Sequence, residues 1–290
     1  MRKKQKLNRL QHILPEPLLA SVPWLESRGY SRALLSQYAA AGWLVQPTPG
    51  VYHRPGFRLC WEGVVTSLQS LMGCPLVVGG KTALEIQGHG HYISYQLPYF
   101  IHLYGPKAPP GWLQKLGLDK RFVFHKTRRL FASEEYTRPQ QPFGTWDGDK
   151  QCFAGPAVLP KQTKQMSWND KEMPLIVSTE ARAALEHLDE VPKRERFDEA
   201  GYVMEKLAWL DPEKIQEVLC QCRSVKVKRL FLWFAERHDQ PWFDQIDVRK
   251  IDLGRGKRML VEKGEGCLNA KYQITYPKYM LYDEIPEDAQ

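Results

Sequence analysis

Apolar positions in LNRLQHIL fall at Leu7, Leu10 and Leu14, an i, i+3, i+7 spacing that predicts an amphipathic helix ended by Pro15. The following EPLLASVPWLESRG predicts a second short helix, with Pro17 near its start, Pro23 as a point where it can split, and Gly29 just past its end. YSRALLSQYAAAGW predicts a third. Ser31 is the N-cap, Leu34, Tyr38 and Ala41 form the buried stripe, and Gly42 closes the helix. That phase leaves Arg32, Ser36, Gln37 and Ala40 on the outer face. WLVQPTPGVYHRPG then predicts strand, tight turn, strand, with Pro47, Pro49 and Gly50 at the tip.

Further along, LVVGGKTALEIQG predicts a strand over Leu76–Val78, a Gly-Gly turn and a short helix over Lys81–Gln87 stopped by Gly88. YISYQLPYFIHLYGP and RFVFH read as aromatic-rich strands. Residues 132–170 are rich in Pro, Gln, Gly and Trp, show no helical period and predict an irregular loop region; Asp147-Gly148-Asp149 within it reads as a turn. LIVSTEARAALEHLDEVP predicts strand then helix, capped by Ser178 or Thr179, with Pro192 beyond its end. Tyr202–Leu210 predicts another helix. In DPEKIQEVLCQC, Ile215, Val218, Leu219 and Cys222 share one helical face and Cys220 points elsewhere, so the two thiols are separated. Leu230 to Ala235 is apolar all round, which predicts a buried helix. IDLGRGKRMLVEKGEG reads as strand, glycine turn, strand, and KYQITYPKYMLY as a last strand before an acidic tail.

Helix, helix, glycine turn, helix, ribbon is the order of a winged helix-turn-helix, whose second helix of the motif enters the major groove. The expected fold class is therefore α+β, an N-terminal winged helix-turn-helix over 1–58 followed by a mixed α/β domain over 59–290. Charge sharpens this. Residues 1–58 hold nine basic side chains against Glu16 and Glu26, a net of +7, whereas the other 232 residues net +1 of the chain's +8. A positive module beside a near-neutral body points to double-stranded DNA as the partner. On the third helix, Arg32 can fork onto guanine, Gln37 onto adenine, and Ser36 can reach bases or phosphates. Lys3, Lys4, Arg28, His53 and Arg54 are the residues expected to hold the backbone and set register. Used only for protein contacts, the same winged helix would be a scaffold.

A second group of cations stands out. Lys226, Lys228 and Arg229 crowd the first turns of the buried helix, where each opposes the macrodipole by roughly 0.3–1 kcal/mol. Compensation is expected from local acids such as Glu213 or Glu217, or from an anionic partner. Arg255, Lys257 and Arg258 form a basic hairpin tip. Both groups are candidate partner or nucleic-acid surfaces.

Catalytic and cofactor chemistry finds little support. A P-loop needs Gly five residues before Gly80-Lys81-Thr82, but Pro75 stands there and offers no N–H. His89 and His91, with His102 eleven residues on, have no cysteine or acid nearby to complete a zinc site, and they read as a polar turn. E-x-K, D-x-K, G-x-S-x-G and H-E-x-x-H do not occur. The expectation is no catalytic residue, no metal and no cofactor, with a nucleic-acid-acting enzyme of unfamiliar type as the remaining alternative. No apolar run approaches the ~18 residues of a membrane span, the basic start lacks an apolar core of a signal, and six scattered cysteines suit a reducing cytoplasm.

WLESRGYSRALLSQYAAAGWLVQPTPGVYHRPG resembles the N-terminal domain of AbiEi-type antitoxins, the antitoxin halves of type IV toxin–antitoxin (abortive infection) pairs. GGKTALEIQG, IVSTEARAALEHLDEVP, SVKVKRLFLWFAERHDQPWF and LGRGKRMLVEKGEG…KYQITYP are similar to later parts of the same family, in the same order. The resemblance implies a repressor of its own operon that binds promoter inverted repeats and counters a cognate nucleotidyltransferase-like toxin, with antitoxicity in the C-terminal domain. GGKTALEIQGHGH also resembles a nucleotidyltransferase signature, but no Asp or Glu occurs from Ile86 to Leu118 to hold the metals that chemistry needs.

Overall fold

A computed structural model describes residues 3–89, 99–131, 145–154, 159–262 and 264–284, without the side chains of Lys3, Lys4, Thr145, Ala154 and residues 282–284. His91 and all of 132–144 and 155–158 therefore lie outside the described residues. Chain contacts divide the molecule into two compact units, residues 1–78, 96–126 and 133–177 in one, and 79–95, 127–132 and 178–290 in the other. The architecture is α+β, with a winged helix at the N-terminus and a mixed α/β remainder.

The winged helix runs α1 (Lys3–Ile13), β1 (Leu19–Ser21), α2 (Val22–Glu26), α3 (Arg32–Ala40), β2 (Val45–Thr48) and β3 (Val51–His53), with sheet order β1-β3-β2. The second helix starts later than its sequence suggests. Leu19, Ala20 and Ser21 instead pair with His53, Tyr52 and Val51, because Leu18, Leu19 and Ala20 are a short apolar run that buries completely. Pro23 then sits in the first turn of α2, where its missing N–H leaves no helical bond unmade. Leu10, Leu14, Leu25, Tyr30, Leu35, Tyr38 and Tyr52 form the core of this module, and Trp146, Phe153 and Trp168 pack against it from later in the chain.

The same unit takes in α4 (Trp61–Thr66), prolonged by a π turn over Ser67–Leu71, and a sheet built on β4 (Val77–Val78) and β5 (Tyr99–Gly105). Beyond β5 lies β6 (Lys120–Lys126). Within the region expected to be irregular, β7 (Thr145–Asp147) and β8 (Cys152–Ala154) form a hairpin, and β9 (Thr163–Ser167) joins the main sheet beside β10 (Pro174–Ser178). The five-stranded order is β6-β5-β4-β10-β9, with β5 parallel to β6 and antiparallel to β4. Buried Gln69 bonds both Leu76 O and Ile176 O at 2.9 Å and accepts Ile176 N–H at 3.0 Å, so one side chain ties α4 to two strands. Asp147 Oδ1 accepts the N–H groups of Asp149 and Lys150, the side-chain turn that the Asp-Gly-Asp triplet predicts.

The second unit is mostly helical: α5 (Gly80–Leu84), α6 (Glu180–Glu190), α7 (Phe197–Glu205), α8 (Pro212–Gln221) and α9 (Val225–Arg237), followed by the hairpin of β11 (Gly266–Asn269) and β12 (Ile274–Pro277). Residues Leu230 to Ala235 of α9 are buried throughout, as the all-round apolar pattern requires, and burial extends back to Val227. Ile215, Val218, Leu219 and Cys222 face the core and Cys220 is exposed. The other expected hairpin does not form. Residues 252–262 are an irregular loop whose Arg258 only bridges to Ile274, and the last segment turns into a 3-10 helix over Lys278–Glu284 after four strand residues. The helix placed at Tyr202–Leu210 starts earlier, at Phe197.

Candidate nucleic-acid interface

The site rests on the joint between α2 and α3. Gly29 has φ +88, and the N–H groups of Gly29 and Tyr30 bond back to Glu26 O and Leu25 O. This left-handed turn costs an L side chain ~1–2 kcal/mol, which glycine avoids. Ser31 Oγ accepts Leu34 N–H and caps α3. Leu35 and Tyr38 anchor α3, with Leu34 half-buried; Ala41 is exposed because α3 ends at Ala40 and Ala41 only caps it. Burial of Leu35 and Tyr38 stabilises the helix position by roughly 1.5–3 kcal/mol each.

Arg32, Ser36, Gln37 and Ala40 are all exposed, so the outward face has the composition read from the sequence. Arg32 Nε sits 3.0 Å from Glu26 Oε1, with the two side chains 78% and 40% exposed. Arg28 is exposed but folded back: its guanidinium lies 3.6 Å over the Trp24 ring and bonds Trp24 O.

The wing forms as the expected strand, tight turn and strand, but its charged residues lie elsewhere than expected. Pro49-Gly50 is a two-residue turn, and Gly50 O accepts Val22 N–H at 2.8 Å, so the tip is tied to the start of α2. Its exposed residues, Val45, Gln46 and Pro49, carry no charge. His53 is buried at 6% exposure, its ring against Phe57 and its Nδ1 2.7 Å from Arg54 O; burial pulls its pKa down against that carbonyl. His53 is therefore a buried residue of β3, the middle strand of its sheet, all three of whose residues are covered. Arg54 is bound to Glu16 at 3.0 Å and faces a cleft beside Trp146 and Gly148. Lys3 and Lys4 lie on α1, their side chains outside the described residues.

The winged-helix region carries further cations that the sequence pattern did not single out. Arg9 and Arg58 are exposed, and Lys6 Nζ bonds Gly29 O at 3.0 Å, tying α1 to the turn. Arg9 reaches close enough to act on the Tyr30 hydroxyl, next to the start of α3. The signal was available: Arg9 lies opposite the Leu10–Leu14 stripe on an amphipathic helix.

The second group of candidates resolves differently. Lys226 Nζ bonds Asp189 O at 2.6 Å and Val191 O at 2.8 Å, capping the end of α6, and sits 3.6 Å from Asp189 Oδ1. Burial lowers its pKa, with Asp189 opposing. Lys228 is buried at 3% exposure. Arg229, also buried, gives four hydrogen bonds to the carbonyls of Leu253, Gly254, Gly256 and Gln273. Carbonyl oxygens and Asp189 supply, for Lys226 and Arg229, the compensation that Glu213, Glu217 or a partner was expected to give, so these two cations are structural, and Lys228 is buried. Arg255 and Lys257 are exposed, and Arg258 is half-buried.

The glycine stretch is also structural. Gly80, φ +54, donates its N–H to Glu186 Oε2 at 2.9 Å, and Glu186 Oε1 takes Arg182 Nε at 2.8 Å, both side chains buried. A carboxylate of the chain thus occupies the place a phosphate takes in a P-loop. Lys81 reaches Glu195 at 3.2 Å and Glu199 at 3.1 Å. Burial pushes the Glu195 carboxyl up to about 7, against the pull of Lys81. His89 is buried, its ring 5.1 Å from that of Trp209. Burial pushes the Cys222 thiol up to about 11. Among the described residues, no helix is long and apolar enough to cross a membrane.

Comparison with known proteins bears on the same residues. A family model described as "Transcriptional regulator, AbiEi antitoxin, Type IV TA system" matches residues 100–277, and one described as "Transcriptional regulator, AbiEi antitoxin N-terminal domain" matches residues 3–95. No curated protein matches the chain. Among solved structures it is similar to the RV2827C protein from Mycobacterium tuberculosis, with a TM-score of 0.53 and 14% identity over 94% of this chain and 90% of that one. At that identity the likeness speaks to the fold alone. The winged-helix order and the two family models agree over almost the whole length: the chain belongs to the AbiEi antitoxins, transcriptional regulators of type IV toxin–antitoxin systems.

Proposed function

We propose that the protein is a DNA-binding antitoxin of the cytoplasm that represses its own operon at promoter inverted repeats and counters a nucleotidyltransferase-like toxin. The observation that carries the DNA-binding part is the outer face of α3. Arg32, Ser36 and Gln37 stand exposed on the helix that follows the Gly29 turn, the position from which a helix-turn-helix reads the major groove. Arg32 and Gln37 read base edges, with Ser36 on bases or phosphate. Phosphates fall to Lys3, Lys4, Arg28, Arg9 and Arg58, which take over from the inward His53 and the paired Arg54. The chargeless wing leaves α1 and α3 to bind the duplex. Family membership supports the regulatory role and implies the toxin as functional partner.

Fluorescence anisotropy with the upstream intergenic duplex, across a salt series, tests this. Arg32→Ala is expected to weaken the operator by ~1–3 kcal/mol and unrelated duplex far less. Removing Lys3 and Lys4 together is expected to weaken all duplexes alike and to flatten the salt slope by ~0.9 for each phosphate no longer neutralised. Unaltered binding in both variants overturns the docking. No duplex binding at all, with toxin still neutralised, makes the winged helix a protein-binding scaffold.

A further inference from the structure

We propose that the β5–β6 edge of the five-stranded sheet is a second binding surface, for single-stranded nucleic acid. β6 is the outermost strand. Residues 99–126 hold five cations, Lys107, Lys115, Lys120, Arg121 and Lys126, against one acid, Asp119, a net of +4. Lys107, Lys115, Arg121 and Lys126 are exposed and Lys120 half-buried. Among the described residues none of the five is in an ion pair with a carboxylate, whereas Arg32, Arg54 and Lys226 all are.

Aromatic rings interleave with these charges. In the parallel register Phe100 stands beside Arg121, so both side chains leave the same face of the sheet, and Phe100 keeps 44% of its surface exposed. One residue back, Lys120 Nζ lies 4.5 Å over the Tyr99 ring on the opposite face. A cleft of about 400 Å³ opens at this end of β6, lined by Leu113, Gln114, Lys120 and Arg121, within the ~300–1,000 Å³ of sites that take small organic groups.

Charges on an edge strand also prevent edge-to-edge aggregation. Either sign of charge does that, and it requires neither Lys107 and Lys115 off the strand nor a ring beside the guanidinium. A duplex buries its base faces in its own stack and has no use for Phe100. An unpaired base stacks on a ring or a guanidinium plane while lysines follow the phosphates. This surface is distinct from the α3 face and does not depend on it.

The test uses the full chain and labelled oligomers of about twelve nucleotides, oligo(U) RNA and oligo(dU), beside the operator duplex. Binding of either oligomer supports the proposal, and the tighter one identifies the sugar. Phe100→Ala is expected to weaken the oligomer about fivefold or more. Lys120→Ala is expected to flatten its salt slope by ~0.7. Arg121→Lys keeps the charge, so the slope holds while affinity falls. Arg32→Ala leaves oligomer binding unchanged, which separates this surface from the operator reading. Unchanged thermal unfolding of each variant shows that the fold is intact. The proposal is overturned if neither oligomer binds, if Phe100→Ala binds as well as wild type, or if these variants weaken the duplex alone.

Discussion

On the proposed docking Glu26 competes with DNA for Arg32, so removing it should tighten the complex. Arg32 must leave Glu26 to reach a base edge, because the 3.0 Å pair holds the guanidinium at the end of α2. With side chains 78% and 40% exposed, this is a surface pair, worth ~0.2–1 kcal/mol. Glu26→Gln removes that stabilisation from the free state only. Operator affinity should therefore rise about 1.4- to 5-fold from this effect alone. Loss of a negative charge beside the duplex adds a smaller gain for any DNA. The backbone is unaffected, since Gly29 bonds the Glu26 carbonyl and not its side chain. The assay is operator anisotropy for wild type, Glu26→Gln, Arg32→Ala and the double variant at two salt concentrations. Competition predicts a gain that shrinks in the Arg32→Ala background and at higher salt, where the pair is already screened. An equal gain in both backgrounds refutes the competition, and weaker binding by Glu26→Gln refutes the placement of α3 at the groove.

Gly29→Ala meets no atom within 4 Å, so its cost is backbone conformation alone, ~1–2 kcal/mol; a lower melting temperature with weaker operator binding is expected, and wild-type values in both would contradict it. Arg229→Met leaves four carbonyls without their charged donor and should destabilise by at least ~1.5–3 kcal/mol, read by thermal unfolding and by faster proteolysis near residue 255, whereas Lys257→Met should change neither. Glu195 has a folded pKa raised to about 7, above its ordinary 4.5. The folded state therefore holds this proton more tightly, and the associated stability is full below ~4.5 and is lost as pH rises through about 7. Glu195→Gln should remove that loss, so its melting temperature relative to wild type should rise between pH 5 and 8; a pH-independent difference would sink the assignment.

The winged helix was legible because its punctuation is local. Pro15, Gly29, Ser31, Gly42 and Pro49-Gly50 each act within a few residues of the chain. β1 was hidden for the opposite reason: LLAS is too short to show a period, and its partner is β3, some thirty residues on. Lys226 and Arg229 of α9 find partners at the end of α6 and in the 253–256 loop, which spacing within one helix cannot reveal. His53 showed the limit of composition: a polar residue in a ribbon next to arginines reads as exposed, yet β3 is the middle strand of its sheet and all three of its residues are buried. The basic run at 99–126 was hidden by averaging charge over the whole of 59–290, where acids further along offset it.

Trp146 donates its indole N–H to His12 O at 2.7 Å, and Gly148 lies so close that a Cβ there would come within 2.5 Å of the same carbonyl. Together with Trp168, Phe153 and the Leu19–Ser67 bond, this makes the winged helix dependent on residues far beyond its own helices. It is not a cassette that can be cut out and grafted elsewhere. A stray mutation in the β7–β8 hairpin should loosen the seat of α1 without touching a single side chain on the outer face of α3.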